Sequence, residues 1–255
     1  MRSSYATPAI VLRCRPFGES DKIVSLLTRD FGKISGIAKG AMRSRKRFVN
    51  SLEPLALVNL RFQERPHSSL AFILNADLAL GYRHLVNSLE AIFQAAYLVE
   101  ITDGLLGERE ESRAIYEQLC ASLHHLETHG ASLRFLTLYE LKLLRLVGYQ
   151  PVLNQCRRCA EASCQSTARP WYFSPMDGGI LCDSCAASRR DILPLGVKAL
   201  EVLAALQSES DSLPAPFSLP LSVINEMRAV MLRFVQFHMT REIKSATFLG
   251  SEQPR

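Results

Sequence analysis

The sequence has no apolar run approaching the ~18–20 residues that a membrane-spanning helix needs. The first 19 residues offer only the short apolar stretch Ala9–Leu12 before charges resume, so no secretory signal is expected. A soluble, cytoplasmic protein is expected. The motifs G-x-x-x-x-G-K-[ST], G-x-S-x-G and H-E-x-x-H are missing, and Gly32-Lys33 lacks the upstream glycine of a phosphate loop. His124, His125 and His129 fall on an expected helix without an acidic partner or metal-ligand spacing. Glu19 with Asp21, and the run Glu108, Glu110 and Glu111, read as caps and surface rather than a catalytic pair. Nothing argues for an enzyme.

Acid is scarce at one end. Residues 1–80 carry 13 Lys+Arg against 6 Asp+Glu, whereas residues 81–255 carry 17 against 19. A net of +7 followed by a net of −2 suggests that the first third faces nucleic acid. The 255 residues are 47% hydrophobic and 22% charged, near the globular average, so a core can form and one large or two small domains fit.

Five short β-rich runs occupy residues 1–80: Ala9–Leu12, Ile23–Thr28, Ile34–Ala38, Leu55–Phe62 and Leu70–Leu74. With no long helix between them they suggest a small five-stranded barrel. Residues 82–148 carry three apolar stripes at helical spacing. These are Leu89 to Ile101, Ile115 to Leu123 and Leu133 to Leu146, and they predict a three-helix bundle. Residues 195–207 and 220–240 are again helical, separated by the loop Ser208–Pro216, and the tail Ser251–Arg255 is expected to fray. The expected division is residues 1–80 as a nucleic-acid-binding domain and 81–255 as a helical domain, with a cysteine-bearing element inserted at about 152–190.

Seven cysteines in a chain without an export signal do not suggest a disulfide framework. The pattern Cys156-x2-Cys159-x22-Cys182-x2-Cys185 pairs two C-x-x-C turns, each able to direct two thiolates at one point. Four sulfurs in a tetrahedron suit one structural Zn²⁺ with no open position. The long gap is accommodated if Trp171–Ser174 and Gly178–Leu181 form a hairpin. The segment has little apolar periodicity, so zinc is expected to serve as its core. The plainer readings are four buried thiols or a redox C-x-x-C. Cys164 is a fifth candidate ligand; Cys14 and Cys120 read as small core residues.

Between the third and fourth β runs, Lys39, Arg43, Arg45, Lys46 and Arg47 crowd one loop with no acid among them. Such a loop would neutralise several phosphates and bind with marked salt dependence. Arg13, Arg15, Lys22, Lys33 and Arg61 extend the candidate surface. Phe48 and Phe62 are either stacking platforms or core. The plainer reading of the loop is a solvated surface.

The order of several motifs resembles the RecO family of bacterial recombinational DNA repair proteins. They are Gly18-Glu19-Ser20-Asp21-Lys22-Ile23-Val24, Leu27-Thr28, Gly32-Lys33 and Ala38-Lys39-Gly40-Ala41, then Tyr139–Pro151, which runs into Cys156 and Cys159. Phe173-Ser174-Pro175, Gly178-Gly179, Cys182, Cys185, His238 and Arg241–Ser245 follow. The resemblance spans nearly the whole chain. It implies an α+β multidomain protein: an N-terminal five-stranded OB-fold barrel followed by an α-helical domain with a four-cysteine zinc element. It implies binding to single- and double-stranded DNA, strand annealing, and action with RecR and often RecF. It also implies docking on the C-terminal tail of single-stranded DNA-binding protein (SSB), which helps RecA to load, and a cytoplasmic, nucleoid-associated location. Some family members hold the SSB tail with arginines near the start of the helix corresponding to Tyr139–Tyr149. Here those positions are Thr137 and Leu138, and Arg134 about one turn earlier is the candidate substitute. Two other functions fit the same residues: a zinc-containing adaptor without strong DNA binding, and a zinc-ribbon RNA-binding or transcription factor.

Overall fold

The computed structural model describes residues 3–110, 112–163, 170–208 and 219–249. Cys164, Glu111, the tail 251–255 and the Ser208–Pro216 loop beyond its first residue lie outside the described residues. Two compact units are present: Met1–Ala131 together with Ile243–Arg255, and Ser132–Glu242.

In the first unit, β1 (Ser4–Phe17), β2 (Asp21–Thr28), β3 (Gly32–Ala38), β4 (Leu57–Gln63) and β5 (Ala71–Leu80) form a closed barrel in the order β1-β2-β3-β5-β4. This is the expected OB-fold barrel. Every neighbouring pair is antiparallel except β3 and β5, which pair in parallel at Gly36↔Ala71 and Ile37↔Phe72. Gly36 permits that closure, because a Cβ there would meet the Ile73 side chain. β1 is long because it serves two neighbours. Its first half pairs with β4, its second with β2, and a bulge between Val11 and Arg13 bends it from one to the other.

Alternation fills the barrel. Val58, Leu60 and Phe62 point into the core while Asn59 and Arg61 are exposed. Tyr5, Phe31 and Phe62 form an aromatic cluster with ring centroids 5.1 to 5.4 Å apart. Phe48 and Phe62 are both buried in this core, so neither offers a ring face to a base. Ile10 and its cross-strand partner Leu27 are equally buried, and the helices α1 (Leu89–Leu105) and α2 (Arg113–His129) pack on β1 and β2. The Ser88 hydroxyl caps α1 by accepting from Ala91 N. The returning chain is tied to α1 by Glu100, which accepts hydrogen bonds from Lys244 N, Ser245 N and Ser245 Oγ.

In the second unit, α3 (Leu133–Leu146) packs against α5 (Val197–Ser208) and α6 (Leu221–His238). α3 thus falls in a different unit from α1 and α2, which the expected grouping of three helices did not foresee. Each apolar stripe was read correctly, but a stripe does not name its partner. Glu140 of α3 is fully buried and accepts from Arg228 Nη1 of α6 at 2.5 Å. A three-stranded sheet, ordered β7-β6-β8, completes the unit. It contains the hairpin β6 (Trp171–Ser174) and β7 (Gly179–Cys182), with β8 (Leu193–Leu195) on the other edge of β6. No helix among the described residues is long and apolar enough to cross a membrane.

Candidate metal centre and nucleic-acid interface

The four paired cysteines converge. Cys156 and Cys159 lie on a knuckle closed by Cys156 N donating to Glu161 O and Ala160 N donating to Cys156 O, with Ala160 in the left-handed region (φ 61°). Cys182 ends β7, and Cys185 sits in the single helical turn α4 (Asp183–Ala186). Arg157 N donates to Ile180 O, which ties the knuckle to β7. Val152 runs beside Gly179, where any Cβ would strike the Val152 carbonyl oxygen. Gly178 meanwhile takes φ 71° in the turn, so the Gly178-Gly179 pair serves both needs.

All four Sγ atoms lie within 4.8 Å of one another. A tetrahedron with metal–sulfur bonds of about 2.3 Å has edges of about 3.8 Å, so the cluster is the right size for one ion. Cys159 Sγ and Cys182 Sγ are 3.6 Å apart. Burial pushes the Cys156 thiol up, but N–H groups of Cys159, Cys182 and Arg158 outweigh it and bring it down to about 6. Burial and the neighbouring sulfurs push Cys182 up to about 12. One thiolate thus forms easily and its neighbour resists. A divalent cation would supply the charge that lets all four ionise. These four cysteines can hold a metal ion.

Two features of this element were not anticipated. The hairpin has an apolar core of its own: Trp171, Phe173, Ile180, Leu181 and Leu195 are buried, and Phe173 meets Phe234 of α6 edge-on at 5.1 Å. The expectation that metal replaces a missing core is corrected for the hairpin, because Trp171, Phe173, Ile180 and Leu181, few in sequence, are buried together. The second feature is Asp177, which accepts from Ser174 Oγ at 2.6 Å and from Arg189 Nη2 at 2.6 Å, bracing the turn against the segment after α4. The Phe-Ser-Pro-x-Asp run signals the turn, but nothing in the sequence pairs it with Arg189.

On the barrel, the ten proposed DNA-contacting cations separate by environment. Arg15, Arg43, Arg45, Lys46 and Arg61 are exposed and have no acidic partner among the described residues. Arg47 is exposed, donates from Nη2 to Lys39 O at 2.8 Å and lies over the Phe48 ring at 5.0 Å. Arg13, Lys22 and Lys39 are partly neutralised, by Asp103 at 3.6 Å, Glu53 at 2.6 Å and Asp21 at 3.2 Å. Lys33 is removed from the surface set. It is 8% exposed, donates to the Asp103 carbonyl at 2.6 Å and lies 3.4 Å from its carboxylate. It holds the C-terminal turn of α1 against the barrel, where Ser25 Oγ also donates to Asp103 at 2.9 Å.

The basic loop is anchored at both ends. Gly40 N donates to Asp21 Oδ1 and Met42 N to Ser20 O, which holds its start against the β1–β2 turn. Ala76 N donates to Arg47 O, beside Asn75, the cross-strand partner of Arg61. The loop therefore crosses the barrel wall from the end of β3 toward the strands that carry Arg61. Phe17, 49% exposed at the end of β1, is an aromatic surface that the sequence reading passed over. In the second unit, Arg134 is half-buried in the first turn of α3, while Thr137 and Leu138 are interior.

Residues 1–82 match the family model described as Recombination protein O N terminal, and residues 86–247 match Recombination protein O C terminal. Several curated proteins are similar over most of their length, each described as "DNA repair protein RecO". The protein of Syntrophus aciditrophicus is 30% identical over 254 residues, covering 99% of this chain and 97% of its own. That of an Anaeromyxobacter species (strain K) is 32% identical over 245 residues, covering 96% and 95%. That of Syntrophotalea carbinolica is 34% identical over 248 residues, covering 96% and 93%.

Proposed function

Because the chain belongs to the RecO family of DNA repair proteins, we propose that it is a non-enzymatic recombination mediator whose barrel binds single- and double-stranded DNA and promotes annealing. The binding module is residues 1–80, and residues 81–255 carry the zinc element and partner contacts. The observation that supports this most is the set of exposed cations on the barrel and its β3–β4 loop that have no acidic partner among the described residues: Arg15, Arg43, Arg45, Lys46 and Arg61. Annealing breaks no covalent bond. It requires that the charge of two strands be neutralised while their bases stay free to pair. Flexible arginines and lysines on phosphates meet both conditions, since they ignore base identity. Arg13, Lys22 and Lys39 contribute less, because a carboxylate already faces each of them. Phe17 adds an exposed ring for an unpaired base.

Zinc held by Cys156, Cys159, Cys182 and Cys185 would be structural, its four thiolates leaving no position for water or substrate. RecR, with RecF, and the SSB tail are the proposed protein partners, with Arg134 as a contact for the tail's carboxylates, in support of RecA loading. The protein would act in the cytoplasm at the nucleoid.

Fluorescence anisotropy with a labelled single strand, its duplex and an RNA of the same sequence tests the proposal. Sequence-tolerant DNA binding that weakens steeply with salt, together with faster annealing of complementary strands, is the expected result. Absence of DNA binding at low salt would favour an adaptor, and preference for RNA would favour an RNA-binding factor.

A further inference from the structure

Three cations of the barrel face carboxylates, and those carboxylates differ in kind. The side chain of Asp103, which faces Arg13, is 3% exposed. That of Asp21, which faces Lys39, is 15% exposed and also accepts from Gly40 N and Ser20 Oγ. Both acids are held by the fold. Glu53 is not. It accepts from Lys22 Nζ at 2.6 Å, its side chain is 64% exposed, and Lys22 is the only partner of its carboxylate among the described residues. The backbone beneath it is fixed, with Ala56 N donating to Glu53 O and Leu55 N to Val11 O, so the carboxylate can swing away without moving the chain. Residues 31–52 contain no acid, so Glu53 is the first carboxylate after the basic loop. Lys22 stands at the start of β2, between Pro16 of β1 and Ala38 of β3, and shares with Met42 and Ser44 the lining of the half-open groove under that loop.

We propose that Glu53 is a built-in competitor for DNA phosphate: it occupies Lys22 in the free protein, yields it to a phosphate of the bound strand and reclaims it on release. The inference rests on the DNA-binding reading above and adds to it a residue that sets how long a strand stays. A carboxylate and a phosphate diester are both anions that accept hydrogen bonds from an ammonium group, so one can replace the other. An exposed ion pair is weak and screened by salt, so the exchange costs little. Arg43 lies between Met42 and Ser44, so a strand held by Arg43 brings its phosphates to the edge of the groove that Lys22 lines. Annealing gains from such an exchange, because a strand must be let go once it has paired. Asp21 and Asp103 cannot serve in this way, since each is buried and bonded to more than one group.

The test uses the full chain and anisotropy with a labelled single strand across a salt series. Glu53→Gln keeps the shape of the side chain and removes its charge. It should bind about two- to fivefold tighter at low salt, the range that an exposed ion pair allows, and the gain should fade as salt rises. Dissociation into unlabelled competitor strand should slow by a similar factor, because affinity changes within one interface fall mostly on release. Lys22→Gln should bind more weakly than wild type. Adding Glu53→Gln to Lys22→Gln should bring no such gain, because the competitor has lost its target. An equal gain with and without Lys22 would show that the carboxylate acts by general charge repulsion and would overturn the proposal. Unchanged affinity and release in Glu53→Gln, with wild type still binding in a salt-dependent way, would also overturn it and leave the DNA-binding reading standing. Failure of wild type to bind DNA at low salt would remove both readings.

Discussion

The carboxylate of Glu127 accepts hydrogen bonds from three successive backbone N–H groups, those of Arg83, His84 and Leu85, at 2.7 to 3.0 Å. It thereby fixes the chain between β5 and α1 to the side of α2. The His84 and Leu85 N–H groups are the largest cause of a carboxyl held down at about 2 against an ordinary 4.5. A lowered folded value stabilises the protein above the unfolded value and is lost as the pH falls through the folded one. Glu127→Gln should therefore be less stable than wild type at pH 7. The gap should begin to close below about pH 4.5 and vanish near pH 2, as read by urea unfolding across that range. A gap independent of pH would mean that the charge plays no part. Lys33 shows what single residues conceal in sequence. It sits in a basic stretch and reads as surface, yet its ammonium group reaches Asp103, far away in the chain. Phe48 and Phe62 left two readings open, and only packing decided for the core.

Elements were more legible than contacts. Each of the five β runs became a strand, because alternation and β-branched composition are local properties. The extra length of β1 and β5 came from neighbours that local reading does not see. β8 was missed because Leu193–Leu195 is short and centred on proline; it is tolerated at the sheet edge beside β6. The cysteine spacing located the four-cysteine cluster, which can hold a metal ion, and the hairpin between its halves. It did not reveal that the hairpin packs its own side chains. Two parts of one element should then respond differently to chelation. Purified protein should contain about one zinc per chain. Removing it should loosen the knuckle and speed tryptic cleavage at Arg157 and Arg158, both exposed. Emission from Trp171, the single tryptophan and 2% exposed, should stay unshifted. A red shift on chelation would show that the metal, rather than Phe173 and its neighbours, holds the hairpin.

Across the whole molecule, charge is divided more sharply than composition suggests. The excess of basic residues falls in residues 1–80, which fold as the barrel, and most of the loop's cations have no acidic partner among the described residues. That arrangement was legible because loop charge needs no tertiary contact to matter. What sequence could not give was the sorting of those cations into paired, buried and free. The salt dependence of single-strand binding, measured for wild type and for the combined variant Arg43→Ala, Arg45→Ala, Lys46→Ala and Arg47→Ala, tests the role of this loop most directly. Each phosphate contact with a single strand contributes about 0.7 to the slope of log affinity against log salt. Loss of up to four contacts should flatten the slope by as much as about 3 and weaken binding at low salt, with annealing reduced in parallel. A variant that keeps the wild-type slope and affinity would show that DNA is held elsewhere.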